Sequence, residues 1–179
     1  LMSGFVAVVL LIIVVWWPLV QDYFAQINPA FPLWMQLDYL LIGIFLLMSL
    51  LIMARADIKA DAWIVFVGLC GGLAIEGWGT QTHIWTYFTE ERPPLWIIPA
   101  WPIASLAIDR LVRVLRHLTR RWPEVVFKWA YIPVFLVFYG LMWQFVWPTL
   151  DKSLTILALA AVGLILLSPV EPRVAVLTF

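Results

Sequence analysis

Six apolar stretches dominate this chain, at about 3–20, 33–54, 62–79, 94–114, 126–147 and 153–170. Each is long enough to cross the roughly 30 Å hydrocarbon core of a bilayer as a helix. The apolar residues run continuously, without the period-2 alternation of a barrel strand. The expected fold class is therefore all-α: a polytopic membrane bundle of about six transmembrane helices, forming a single integral membrane domain over 1–179. Composition agrees, since 64% of residues are hydrophobic and mean hydropathy is +0.98. The 12% charged share is about half that of a soluble domain. The opening apolar run reads as a spanning helix and not a cleaved leader, because Trp16-Trp17-Pro18 stands where a small-residue cleavage site would be. Most prolines fall near expected helix ends, while Pro99, Pro102 and Pro133 fall inside spans and predict kinks. Cys70 is the only cysteine and admits no disulfide within the chain.

Charge fixes an expected orientation. With six spans, Arg55, Lys59, Arg110, Arg113, Arg116, Arg120, Arg121, Lys128 and Arg173 share one side, and only Arg92 and Lys152 lie on the other. This bias predicts a multi-pass cell-membrane protein with both termini cytoplasmic. The basic run over 110–122 reads as an anchor for anionic headgroups of membrane lipids. Nothing else in the chain supports binding to nucleic acid.

The polar residues gather in the expected outer half. Acids within a membrane are costly and usually face the bundle interior. Glu76 follows Gly68 and Gly72 at four-residue intervals, so all three share a helix face on which small residues allow close approach of a neighbour. Asp38, near the outer end of the second expected helix, is the other candidate. Thr80, Thr82 and His83 follow Glu76, Gln144 lies near the outer end of the fifth span, and Trp96 and Trp101 open the fourth. Nine of the twelve tryptophans fall on the outer side in this topology, more than an even interfacial belt would place there. No cofactor is expected. His83 and His117 lie on opposite faces and cannot together ligate one haem, leaving a single bond from His83 to a pigment as the one open cofactor reading. Glu76, His83, Glu90 and Glu91 lack a metal-ligand spacing, so no metal is expected.

The stretch from Glu76 to Trp101 resembles a pattern in the membrane carotenoid-biosynthesis family that contains the carotenoid 1,2-hydratases. In that pattern a Glu ends a helix, a Gly-x-x-Thr turn and an aromatic Tyr segment follow, and Pro and Trp open the next helix. The matching residues are Glu76, Gly79, Thr80, Thr82, Trp85, Tyr87, Pro94, Trp96 and Trp101. The family carries Gly after the second Thr, where this chain has His83. The resemblance covers about 26 of 179 residues. It implies acid–base chemistry, hydration or isomerisation, on an isoprenoid or carotenoid-type lipid. The chemistry needs a proton donor in an apolar pocket and aromatic faces for a carbocation. Glu76 is the candidate acid, with Asp38 or His83 positioning water. Trp78, Thr80, Thr82, Trp85, Tyr87, Trp96, Trp101 and Gln144 are the candidate substrate contacts. A lyase of this kind stands beside a different reading, a non-catalytic subunit or assembly factor whose partners are other membrane protein subunits. A small proton-coupled transporter is disfavoured, because the inner halves of the spans are nearly all apolar.

Overall fold

The computed structural model describes residues 2–54, 56–87, 90–95, 97–167 and 171–178. The described residues are helical and turn, with no strand. In chain order the helices are α1 (Met2–Val15), α2 (Trp17–Ala25), α3 (Leu33–Gln36), α4 (Tyr39–Met53), α5 (Ile58–Gln81), α6 (Ala100–Leu118), α7 (Glu124–Val146), α8 (Ser153–Leu167) and α9 (Pro172–Thr178). A 3₁₀ turn, Trp147–Thr149, joins α7 to α8.

Among the described residues two helices, Ile58–Gln81 and Glu124–Thr149 with its 3₁₀ turn, are long and apolar enough to cross a membrane. A third candidate is α1 and α2 taken together, which bend by 73° at Trp16. Pro18 accounts for that break, since it offers no N–H to the preceding turn and its ring crowds the carbonyl four residues back. The expected span over 33–54 is likewise two helices: α3 ends at an extended Leu37, and Asp38 caps α4, its Oδ1 accepting from the Leu41 N–H at 2.9 Å. The expected start at residue 94 moves to Ala100, so Pro99 is the N-cap of α6 and Pro102 lies in its first turn. Neither proline kinks the helix there, since first-turn residues need no N–H partner. Pro133 does lie inside α7.

The interior is as polar as it is apolar. Ser49, Glu76, Thr80, Thr82, Arg110, Thr149 and Thr155 are buried beside Ile12, Ile52, Val112, Phe127, Val146 and Leu159. Large apolar side chains on α4, α5, α7 and α8 face outward. That inversion suits helices whose outer faces meet hydrocarbon.

The central pair is α5 against α6, antiparallel, with α4 and α9 on the other sides of α6. Three contacts set its register: Gly68 against Ser105, Gly72 against Trp101, and Asp61 against Arg110. Arg110 is 2% exposed and reaches Asp61 at 2.6 Å and Asp109 at 2.5 Å. An ion pair between Asp109 and Arg110 follows from their adjacency, but Asp61 was legible only once the α5–α6 register was known. Asp61→Asn should lower stability by about 1–2 kcal/mol in a detergent melt, because one charge-assisted bond is lost while Asp109 still neutralises the arginine. An unchanged melt would mean that the pair contributes nothing to the packing. The other ion pairs among the described residues, Arg113–Asp109, Arg116–Glu171 and Arg173–Glu124, lie at this same end of the molecule.

Candidate functional site: a carboxylate caged by aromatic donors

At the opposite end of α5 the small-residue face culminates in Glu76. Gly72 and Gly79 flank it on the same side of the helix. A Cβ on Gly72 would stand 2.2 Å from Cγ of Trp101, and one on Gly79 would stand 2.0 Å from the ring of Trp85. The two glycines thus form slots that let two indoles lie directly against the helix, one on each side of the carboxylate.

Both indoles donate to it. Trp101 Nε1–H reaches Oε1 at 3.2 Å and Trp85 Nε1–H reaches Oε2 at 3.2 Å. The Tyr87 hydroxyl stands 3.1 and 3.0 Å from the two oxygens. Glu76 is 2% exposed, and no ion pair among the described residues involves it. A buried carboxylate is tolerated only when well hydrogen-bonded, and here three neutral donors from three positions meet that need. Burial, and then the hydrogen bond to Glu76, pushes the Tyr87 phenol up to about 12, so it remains a neutral donor.

The end of α5 is held by hydroxyls. Thr80 donates to the Glu76 carbonyl at 2.6 Å, and Thr82 to the Trp78 carbonyl at 2.7 Å. The Lys152 ammonium donates to the Thr82 carbonyl, where the negative end of the helix dipole favours a cation. Trp78 Nε1–H reaches Thr155 at 3.4 Å, Thr155 donates to Thr149 at 3.1 Å, and Thr149 donates to the Val146 carbonyl at 3.0 Å. This buried chain ties α5 to the α7–α8 corner. The rings of Trp78 and Trp85 meet edge to face at 6.1 Å, and Phe145 lies 6.4 Å beyond Trp85.

Two spaces flank the cage. A polar cavity of about 350 Å³ is lined by Thr80, Trp85, Thr86, Tyr87, Glu90, Glu91 and Arg92. An apolar groove of about 490 Å³ runs along α5 and α6, from Trp63 past Val67, Gly68 and Gly72 to Ile75 and Trp101. Glu76 is hydrogen-bonded to walls of both: Trp85 and Tyr87 border the cavity, and Trp101 borders the groove.

The structure therefore brings Glu76, Trp85, Tyr87 and Trp101 together, with Thr80, Thr82 and Trp78 supporting them. Asp38 is exposed at the N-terminus of α4, a helix that packs chiefly on α6 and α1; its carboxylate accepts from its own helix, and its backbone N–H donates to the Tyr23 hydroxyl at 3.0 Å. Gln144 is exposed on α7 and has no hydrogen bond to the cage. Trp96 lies outside the described residues. Sequence reasoning missed Lys152, Thr149 and Thr155 as supports. Their one signal was polarity beside the apolar run of α8.

His83 is exposed, with Arg92 Nη1 3.2 Å from its Nε2. Its φ is 61°, in the left-handed region that glycine favours. His83→Gly should raise stability by about 1 kcal/mol through relief of that conformation. A destabilised variant would instead show that the Arg92 contact outweighs the backbone term.

Among the described residues, the fold and site together define a helical protein with an apolar exterior and an aromatic-caged carboxylate at Glu76. Compared with known proteins, the chain matches no family model, no curated protein and no solved structure.

Proposed function

We propose that this chain is an integral membrane enzyme that adds water to, or isomerises, a double bond of an isoprenoid or carotenoid-type lipid. In this reading it is a six-span bundle with both termini cytoplasmic and Glu76 in the outer leaflet. One observation carries the proposal: Glu76 joins the wall of an apolar groove to the wall of a polar cavity. Acid catalysis on an alkene needs hydrocarbon on one side of the acid and water on the other.

The step balances in protons. Glu76, once it has taken up a proton from water on the cavity side, gives that proton to one alkene carbon, leaving a tertiary carbocation and the caged carboxylate. Trp85, Trp101 and Tyr87 already point their N–H and O–H groups at the oxygens where that negative charge appears, an arrangement that stabilises the ion pair without reorganisation. The indole of Trp101 borders the groove, where an aromatic face favours a cation. Water from the cavity adds to the cation, and its released proton returns to Glu76. Loss of a neighbouring proton to Glu76 instead gives the isomer. Position 83, where the resembled family carries Gly, has a glycine-like backbone here, which supports the resemblance.

A second reading has its own support. Three fixed donors around Glu76 also pin α5, the following loop and α6 together, as a non-catalytic subunit or assembly factor would require. The material that co-purifies separates the two. The enzyme reading expects an isoprenoid bound in the α5–α6 groove and lost on Gly71→Trp, which fills the groove at a position with open space around it. Stoichiometric protein partners with no bound isoprenoid would favour the subunit.

Orientation has a direct test. In a Cys70→Ala background, cysteine placed at Glu90 should react with an impermeant thiol reagent on intact cells, and cysteine at Arg116 should not. The reverse pattern inverts the topology and puts the site in the wrong leaflet.

A further inference from the structure

Glu76 needs a route for its proton. It is 2% exposed, and among the described residues three side chains hydrogen-bond its carboxyl: Trp85, Tyr87 and Trp101. An indole N–H only donates, because its nitrogen has no free lone pair, so neither tryptophan can pass a proton inward. A phenol hydroxyl both donates and accepts. Tyr87 stands 3.1 and 3.0 Å from the two carboxylate oxygens and also lines the polar cavity. We propose that Tyr87 is a proton relay, carrying protons between that cavity and the Glu76 carboxyl. The inference deepens the enzyme reading of Glu76 and rests on it, because only an acid that gives its proton away must be reloaded.

Transfer through the phenol leaves it unchanged. A hydronium in the cavity, or a water that becomes hydroxide, gives a proton to the phenol oxygen while the phenol's own proton passes to a carboxylate oxygen. One O–H bond forms and one breaks at Tyr87, and the carboxylate becomes the acid. Rotation about the phenol C–O bond then turns the new proton toward Glu76. In hydration, the proton released by the added water returns by the same path. Burial, and then the hydrogen bond to Glu76, holds the phenol up at about 12, so the two protons move together and no tyrosinate forms. The rest of the cavity wall offers no equivalent among the described residues. Thr80 carries a hydroxyl there, but it donates to the Glu76 main-chain carbonyl at 2.6 Å. Thr86, Glu90, Glu91 and Arg92 are exposed lining residues that open the cavity to solvent, and none of them hydrogen-bonds the Glu76 carboxyl.

The test follows proton uptake by Glu76 directly and needs no lipid substrate. After a downward pH jump on the full-length protein in detergent, time-resolved infrared spectroscopy reads the appearance of the protonated Glu76 carboxyl, assigned as the band absent from Glu76→Gln, Trp101→Phe. Tyr87→Phe and Trp101→Phe each take one donor from the carboxylate, so a structural role alone would move both alike. The relay predicts uptake slowed at least about tenfold in Tyr87→Phe and little changed in Trp101→Phe. In the wild type, where no variant needs to fold, the uptake rate plotted against the deuterium fraction of the solvent should curve, as it does when two protons move together. A straight line overturns the proposal. Uptake in Tyr87→Phe at the wild-type rate overturns it too, whether protons use another path or a water takes the place of the hydroxyl. Equal slowing in both variants would assign the effect to lost packing and is equally fatal. Tyr87-dependent uptake with no lipid turnover by the wild-type protein would leave the path in place and end the enzyme reading, so the two can fail separately.

Discussion

Glu76→Gln should lower stability as well as activity, and the reason is the chemistry of its partners. An amide matches a carboxylate in size, so the substitution looks conservative. The cage makes it otherwise. Each carboxylate oxygen accepts from one indole, Oε1 from Trp101 and Oε2 from Trp85. Indoles donate only, so whichever way the glutamine is turned, its –NH₂ faces an indole N–H. Tyr87 can rotate its hydroxyl to adapt, but a tryptophan cannot. The expected loss is about 1–3 kcal/mol, the cost of one unpaired buried donor. Replacing the facing indole by phenylalanine removes that conflict, so Glu76→Gln with Trp101→Phe or Trp85→Phe should recover part of the lost stability. Activity should behave differently. Neither double variant has an acid, so turnover per folded molecule should stay about 10²–10⁴-fold below wild type in all three. A paired measurement of thermal unfolding and lipid turnover separates the effects. A Gln variant as stable as wild type would mean that the two indoles do not both donate to Glu76. Full turnover in it would end the catalytic assignment.

The second large effect concerns the glycine slots. Gly72→Ala and Gly79→Ala each place a methyl group inside the contact distance of an indole ring. The ring must retreat, which costs about 1–3 kcal/mol in overpacking, and its N–H leaves the carboxylate, which costs about 1.5–3 kcal/mol more. Gly71 and Gly77 are on the same helix with open space where a Cβ would go. Alanine there should be neutral or stabilise by up to about 1 kcal/mol through helix propensity. The four melts, taken together, test the slot geometry independently of any activity. Equal behaviour of all four would show that Trp85 and Trp101 do not lie against α5.

How much of this is legible in the amino-acid sequence depends on what kind of information each feature needs. The all-helical class follows from uninterrupted apolar runs, which no other backbone arrangement satisfies. The spacing of Gly68, Gly72 and Glu76 follows from helix periodicity, so the inward aim of Glu76 was legible; Trp85, Tyr87 and Trp101 entered as candidate substrate contacts, and their hydrogen bonds to Glu76 needed the fold. What hydropathy cannot show is where an apolar run stops being one helix. Pro18 divides the first run and Asp38 the second, because a missing N–H and a local cap act on backbone geometry and leave hydropathy unchanged. For the same reason Asp38 reads as an intramembrane acid in the sequence and serves as a helix cap in the fold. Asp61 and Lys152 needed the packing: each takes its meaning from a partner far away in sequence, Arg110 for one and the Thr82 carbonyl for the other.

The central claim is that Glu76 passes a proton to a carbon atom of a membrane lipid, and incorporation of deuterium from heavy water measures that transfer whichever lipid is the substrate. Membranes containing the wild-type protein, incubated in heavy water, should accumulate an isoprenoid species carrying carbon-bound deuterium that does not wash out in ordinary water. Membranes with the Glu76→Gln, Trp101→Phe variant at matched abundance should not. The same label in both membranes, or no carbon-bound label in any lipid with the wild-type protein, would contradict the account.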